Sequence, residues 1–157
     1  MVQDQKFTKL IEDFPNKLTT LVKSPSYKYD QLLKKKLPER GIYLFSQGTK
    51  HLYVGRTQKN ILKRIQAHVR KGVKDSPFAF KLAREKTGNI KADYNGDKKR
   101  KHLLNDKSFS TAYNQSKNEI KEMDIRFIEV TDPCEQTLFE VYVHMVLETK
   151  YNDFDTH

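Results

Sequence analysis

The chain has 157 residues, with 30 Lys and Arg against 20 Asp and Glu and a formal net charge of +10, giving a pI near 9.6. That length holds one core with appended helices and is too short for two ordinary domains, and the single cysteine, Cys134, excludes a disulfide framework and a cysteine-based zinc site. The basic balance points to a polyanionic partner; no apolar run is long enough to span a bilayer, so nucleic acid is expected rather than a membrane, although charge alone also fits a merely basic soluble protein. Asp4, Glu12 and Asp13 interrupt any apolar leader, so no secretory signal is expected and the setting is read as cytoplasmic.

Residues 5–22 place Phe7, Leu10, Ile11, Phe14, Leu18, Leu21 and Val22 at helical spacing, and Pro15 within the run predicts a second helix starting near Asp13 or Phe14. Ser24-Pro25-Ser26 marks a turn, residues 27–36 a short helix ending in a lysine triplet, and Leu37-Pro38 an extended entry to the first strand. Residues 41–68 then read as two strands, a turn at 46–50 and a helix. Tyr43 and Phe45 alternate with Ile42 and Leu44, and His51, Tyr53 and Gly55 with Leu52 and Val54. A hairpin centred on Gly48 would set Tyr43 opposite Tyr53, Phe45 opposite His51 and Gly41 opposite Gly55, all on one face. On the helix, Ile61, Leu62, Ile65 and Val69 form the apolar stripe, Arg64 and His68 flank it, and Gly72 is expected as its stop.

Ser76-Pro77 opens another helix, with Phe78, Phe80, Leu82 and Ala83 inside and Gly88 at its end. Residues 89–107 have the weakest pattern: Lys98, Lys99, Arg100 and Lys101, with Tyr94 nearby, form either a phosphate-tracking nucleic-acid-binding loop or a solvated one. Residues 109–122 suit a helix and 123–130 a third strand, with Ile125 and Phe127 on one face and Ile128 and Val130 on the other. Asp132-Pro133 begins a last helix so apolar around its circumference that it is expected to be central and buried, with Cys134 a core or helix-start residue. One polar stripe interrupts it: Gln136, Glu140, His144 and Glu148. If that stripe lines a cleft above the tyrosines, Glu140 is a metal ligand; if it faces bulk water, Glu140 is a surface residue.

Gly41-Ile42-Tyr43 and Tyr53-Val54-Gly55 in paired strands, Arg64 and His68 on the next helix, Glu140 on a later one and Asn152 beyond it together resemble the pattern of the GIY-YIG nucleases. The likeness spans roughly residues 41–152, with Val54 where the second tripeptide usually has Ile. The fold expected is a small α/β (α+β) domain, a three-stranded, mainly antiparallel sheet flanked by helices, which the resemblance narrows to the GIY-YIG endonuclease fold. Residues 1–40 are read as an N-terminal helical extension and 41–157 as the nuclease domain, with a basic insertion around 73–122.

The resemblance implies a divalent-metal-dependent endonuclease acting on DNA, double-stranded in preference, with a restriction-type role and a homodimer as one route to cutting both strands. It implies that Tyr43 holds or deprotonates the attacking water, although its unperturbed pKa near ~10 requires cationic neighbours. Arg64 offers a planar fork to phosphate oxygens, Tyr53 and His68 bond the phosphate or water, with His68 a proton shuttle, and Glu140 holds a single Mg²⁺ or Mn²⁺. Gly55 is expected to leave room for the substrate backbone, Arg56 to add positive charge, and Asn152 to support the site by hydrogen bonds. Rival readings are a repair, mobile-element or RNA-directed nuclease, and a catalytically silent nucleic-acid-binding module.

Overall fold

A three-stranded antiparallel sheet forms the middle layer of the protein, and helices cover both of its faces. The computed structural model describes residues 4–89 and 100–154. Strand β1 (Gly41–Gln47) is central, with β2 (Lys50–Thr57) on one side and β3 (Asp124–Glu129) on the other. Alternation along the strands sorts the side chains into two cores. Ile42, Leu44 and Val54 meet Phe14, Leu18 and Leu21 of α2 (Phe14–Lys23) and Phe139 and Val143 of α8 (Pro133–Leu147). Tyr43, Phe45, Tyr53 and Ile125 face the other way, into a core completed by α4 (Ile61–Val69), α5 (Pro77–Thr87) and α7 (Lys107–Lys121). Short helices α1 (Gln5–Glu12), α3 (Tyr29–Leu32) and α6 (Arg100–Asn105) complete the described chain. Residues 1–40, read as an extension, thus supply α2 to the same body, and Tyr27 pairs in a bridge with Ile125.

Local chemistry explains the element starts. The side chains of Asn60, Ser76, Asp106 and Asp132 accept hydrogen bonds from the N–H groups of Lys63, Ala79, Phe109 and Glu135, closing the first turns of α4, α5, α7 and α8. Pro15 lies in the first turn of α2 behind Asp13, as the sequence predicts.

Several expectations are corrected. The hairpin turns tightly, so Gln47 pairs with Lys50, and β2 carries Leu52 as an extra residue between the Ser46–His51 and Phe45–Tyr53 pairs. Tyr43 therefore lies opposite Gly55, not Tyr53, and Gly41 lies opposite Thr57. His51 leaves the tyrosine face and bonds Ser46 Oγ at 2.7 Å. Helix α4 ends at an extended Arg70, and Gly72 belongs to the loop beyond. Helix α8 packs on one face only, so Met145 is 70% and Val146 52% exposed, and it is not the central buried helix. Cys134 is exposed at the start of α8, the second of its two expected places, and not in the core. Lys98 and Lys99 lie outside the described residues, whereas Arg100 and Lys101 begin helix α6 rather than continue a loop.

Candidate active site

The hairpin brings one tyrosine ring over one glycine. A Cβ placed on Gly55 would lie 2.2 Å from both Cζ and Oη of Tyr43, so the ring occupies the space a side chain would take. This corrects the expectation that Gly55 makes room for substrate: the gap is filled by Tyr43 itself. Gly41 answers to a second close approach, since its Cβ would come within 2.1 Å of the Ile128 carbonyl oxygen of β3.

Tyr43 is held from the other end by α4. Its hydroxyl lies 2.9 Å from His68 Nε2, and His68 Nδ1 lies 2.6 Å from Ser76 Oγ, which also accepts the Ala79 N–H. His68, expected on the flank of the α4 stripe, is fully buried between Tyr43 and the start of α5. Its aromatic surroundings are Tyr43, Phe45, Tyr53 and Phe78, and Tyr53 stacks on Phe78 with ring centroids 4.8 Å apart. Burial drives the His68 pKa well below 6.5, and the Arg64 and Lys117 charges push the same way, so the imidazole is neutral. Two tautomers satisfy the distances: either Tyr43 O–H donates to Nε2 while Nδ1–H donates to Ser76, or both bonds run in reverse.

Both phenols are protonated at rest. Burial raises the Tyr43 pKa well above 10, reinforced by Tyr53 and Glu140 and opposed by Arg64. Burial likewise pushes Tyr53 up to about 12, against the pull of Arg64. Arg64 stands beside both rings, and its Nη1 meets the Asp75 carbonyl oxygen at 3.1 Å and Asp75 Oδ2 at 3.3 Å. The Asp75 side chain is 79% exposed, so its ion pair with Arg64 adds little to stability.

Glu140 comes from the helix on the opposite face, past the β2 edge. Its carboxylate is 18% exposed and lies 3.4 Å from Arg56 Nε. Burial raises its pKa to about 7, although Arg56 and then Arg64 pull it down. The carboxylate is thus under-compensated in its ionised form, the condition that favours a cation. One turn earlier, Gln136 Nε2 donates to the carbonyls of Thr57 and Val130, which fixes the amide orientation and leaves Oε1 buried without a partner. Among the described residues no group of three or more His, Cys, Asp and Glu is placed to hold a metal ion.

Asn152 completes the β2 edge by copying a strand. Its Nδ2 donates to the Val54 carbonyl at 2.7 Å and its Oδ1 accepts the Val54 N–H at 2.8 Å, beside the Tyr151 N–H on the Leu52 carbonyl. Asn152→Ala is expected to lower stability by about 1–3 kcal/mol through the two unmet Val54 groups. Urea denaturation checks this, and an unchanged midpoint would contradict it.

The geometry gathers Tyr43, Tyr53, Arg64, His68, Glu140 and Arg56 beside the β1–β2 hairpin, with Asn152 bracing the β2 edge. It does not add Arg100, whose guanidinium lies over Phe80 at 4.4 Å from the ring centre and donates to the Lys74 carbonyl at 2.6 Å. Lys101 remains exposed on α6. Sequence reasoning took Ser76 only as a helix cap and gave Lys117 and Asp75 no role. The Ser76-Pro77 start was the one available signal; the contacts with His68 and α4 depend on the path of residues 70–75. Among the described residues no helix is long and apolar enough to cross a membrane. No family model, curated protein or solved structure matches the chain.

Proposed function

We propose that the chain is a divalent-metal-dependent endonuclease of the GIY-YIG type that hydrolyses phosphodiester bonds in double-stranded DNA, with a restriction-type role. One observation carries the reading: a neutral tyrosine–histidine pair, a guanidinium and an under-compensated carboxylate are brought together beside the β1–β2 hairpin from three separate elements, β1, α4 and α8. In phosphodiester hydrolysis, a water must lose a proton as it attacks and the phosphate's charge must be covered. Tyr43 takes the water's proton as its own passes to His68 Nε2, and the negative phosphate beside Arg64 favours the imidazolium so formed. Arg64, released from Asp75, holds the non-bridging oxygens, with the Tyr53 phenol close to the same guanidinium. Glu140 suits one Mg²⁺ or Mn²⁺, a hard cation that keeps most of its waters; when bound, such an ion supplies Lewis-acid cover for the phosphate and the leaving oxygen. A silent binding module has no use for a half-buried carboxylate at its phosphate site.

Variants separate the roles. Tyr43→Phe is expected to lower the cleavage rate of a duplex by about 10² or more with affinity retained. Arg64→Ala is expected to weaken binding and to flatten the dependence of affinity on salt by roughly one phosphate contact. A folded Tyr43→Phe protein that cuts at the wild-type rate would remove Tyr43 from the water's proton path.

A further inference from the structure

Lys117 is a fully buried residue that the mechanism above does not use. It stands in the middle of α7, and its Nζ donates to the carbonyl oxygens of Ala67 at 2.7 Å, Arg70 at 2.8 Å and Val73. The first two are at the C-terminal end of α4, where orphaned carbonyls and the helix dipole attract a cation. Val73 O also accepts the Tyr113 hydroxyl at 3.2 Å, one turn earlier on α7, and the next carbonyl, of Lys74, accepts Arg100. Residues 70–74 are thus held at the carbonyls of Arg70, Val73 and Lys74, and the chain then delivers Asp75 to Arg64 and Ser76 to His68.

A buried ammonium is a costly way to hold a loop, because removing it from water is repaid only by full hydrogen bonding. Three carbonyls meet that condition. We propose that Lys117 is a positioning residue: its ammonium sets the path of residues 70–76, so that Ser76 holds the His68 ring, hydrogen-bonded at both nitrogens, against Tyr43. The proposal rests on the phosphodiesterase reading for its effect on rate, but not for its effect on the ring. Ser76 transmits the constraint in one bond, and His68 carries it to the Tyr43 hydroxyl in the next. A loop free to drift would leave His68 Nδ1 without its partner and Tyr43 without a fixed proton acceptor.

The test compares wild type with Lys117→Met, which keeps the stem and loses all donors, and Lys117→Arg, which restores a cation. The His68 ring nitrogens, followed by ¹⁵N NMR, report their hydrogen bonds without reference to cleavage. Expected are the signals of a ring hydrogen-bonded at both nitrogens in wild type, averaged ring signals in folded Lys117→Met, and recovery toward wild type in Lys117→Arg. On DNA, kcat falls about tenfold in Lys117→Met with KM within about twofold. An unchanged His68 spectrum in the folded variant overturns the proposal, and so does a perturbed spectrum with unchanged kcat. Should Lys117→Met fail to fold, Lys117→Gln, which retains an amide donor, is read by the same two outcomes. If wild type cuts no nucleic acid, the functional reading fails while the ring spectrum still decides the positioning.

Discussion

On the proposed function, Glu140→Gln is expected to cut strand cleavage sharply and, above neutral pH, to make the protein more stable than wild type. The Glu140 carboxyl titrates near 7 in the folded chain against 4.5 for an ordinary glutamate, chiefly because it is buried. A folded-state value raised above the unfolded one means stability is greatest below about 4.5 and is lost as pH rises through about 7. Above that range the ionised wild-type residue costs the fold about 3 kcal/mol, an upper figure, since Arg56 also loses its ion-pair partner in the variant. Glutamine has the same shape and carries no charge. The melting curves of the two proteins therefore lie close near pH 4.5 and separate by several degrees by pH 8, with the variant higher. Added Mg²⁺ raises the melting temperature of wild type alone, by mass action on the folded state. Cleavage falls by about 10² to 10³ or more, because the cation's carboxylate is gone. A variant less stable than wild type at pH 8 would show that Glu140 is an ordinary ion-pair residue. The trade of stability for a charged site residue is a common mark of function.

On the proposed function, Gly55→Ala is expected to inactivate the protein by displacing Tyr43, with every proposed reacting group still present. The added methyl falls within 2.2 Å of Tyr43 Cζ and Oη and 2.6 Å of Cε2, so the ring must move by more than an ångström. That motion breaks the 2.9 Å contact with His68 Nε2 inside a packed aromatic cluster. Overpacking of this kind costs about 1–3 kcal/mol, and a displacement of about 1 Å at a reacting group lowers rate by roughly 10². Gly41→Ala is the control for the clash itself: its methyl meets the Ile128 carbonyl oxygen of β3, 2.1 Å away, and the flexible tip of Ile61, 2.9 Å away at the far end of α4 from His68. Both variants are destabilised, but only Gly55→Ala perturbs the His68 ring resonances. Wild-type kcat in a folded Gly55→Ala protein would mean that Tyr43 is not needed where it stands.

These effects mark how much of the molecule its sequence discloses. The strands, their alternation and the starts of α2, α5 and α8 were legible, because apolar period and capping residues act locally. The hairpin register was not. With a period of two, pairing Tyr43 with Tyr53 or with Gly55 leaves Tyr43, Phe45, Tyr53 and Gly55 on the same face, so their pattern does not distinguish the two registers. Leu52, the extra residue in β2, decides the matter, and nothing in its side chain announces a bulge. Helix α8 misled for a different reason: apolar residues all round suggested burial all round, yet only Gln136, Phe139 and Val143 are buried. Tyr43, Arg64, His68 and Glu140 were legible as candidates from their order along the chain, and the fold gathers them beside the β1–β2 hairpin. Ser76 and Lys117 were not, because each acts through a loop whose path no local pattern encodes.

The most direct measurement is nicking of supercoiled plasmid by the purified protein in Mg²⁺, Mn²⁺ or chelator, with Glu140→Gln alongside. The account predicts metal-dependent nicking by wild type that chelator removes and that the folded variant lacks. Binding without cutting, on plasmid and on structured RNA alike, would leave a silent nucleic-acid module; nicking that survives Glu140→Gln would place the reaction at another site.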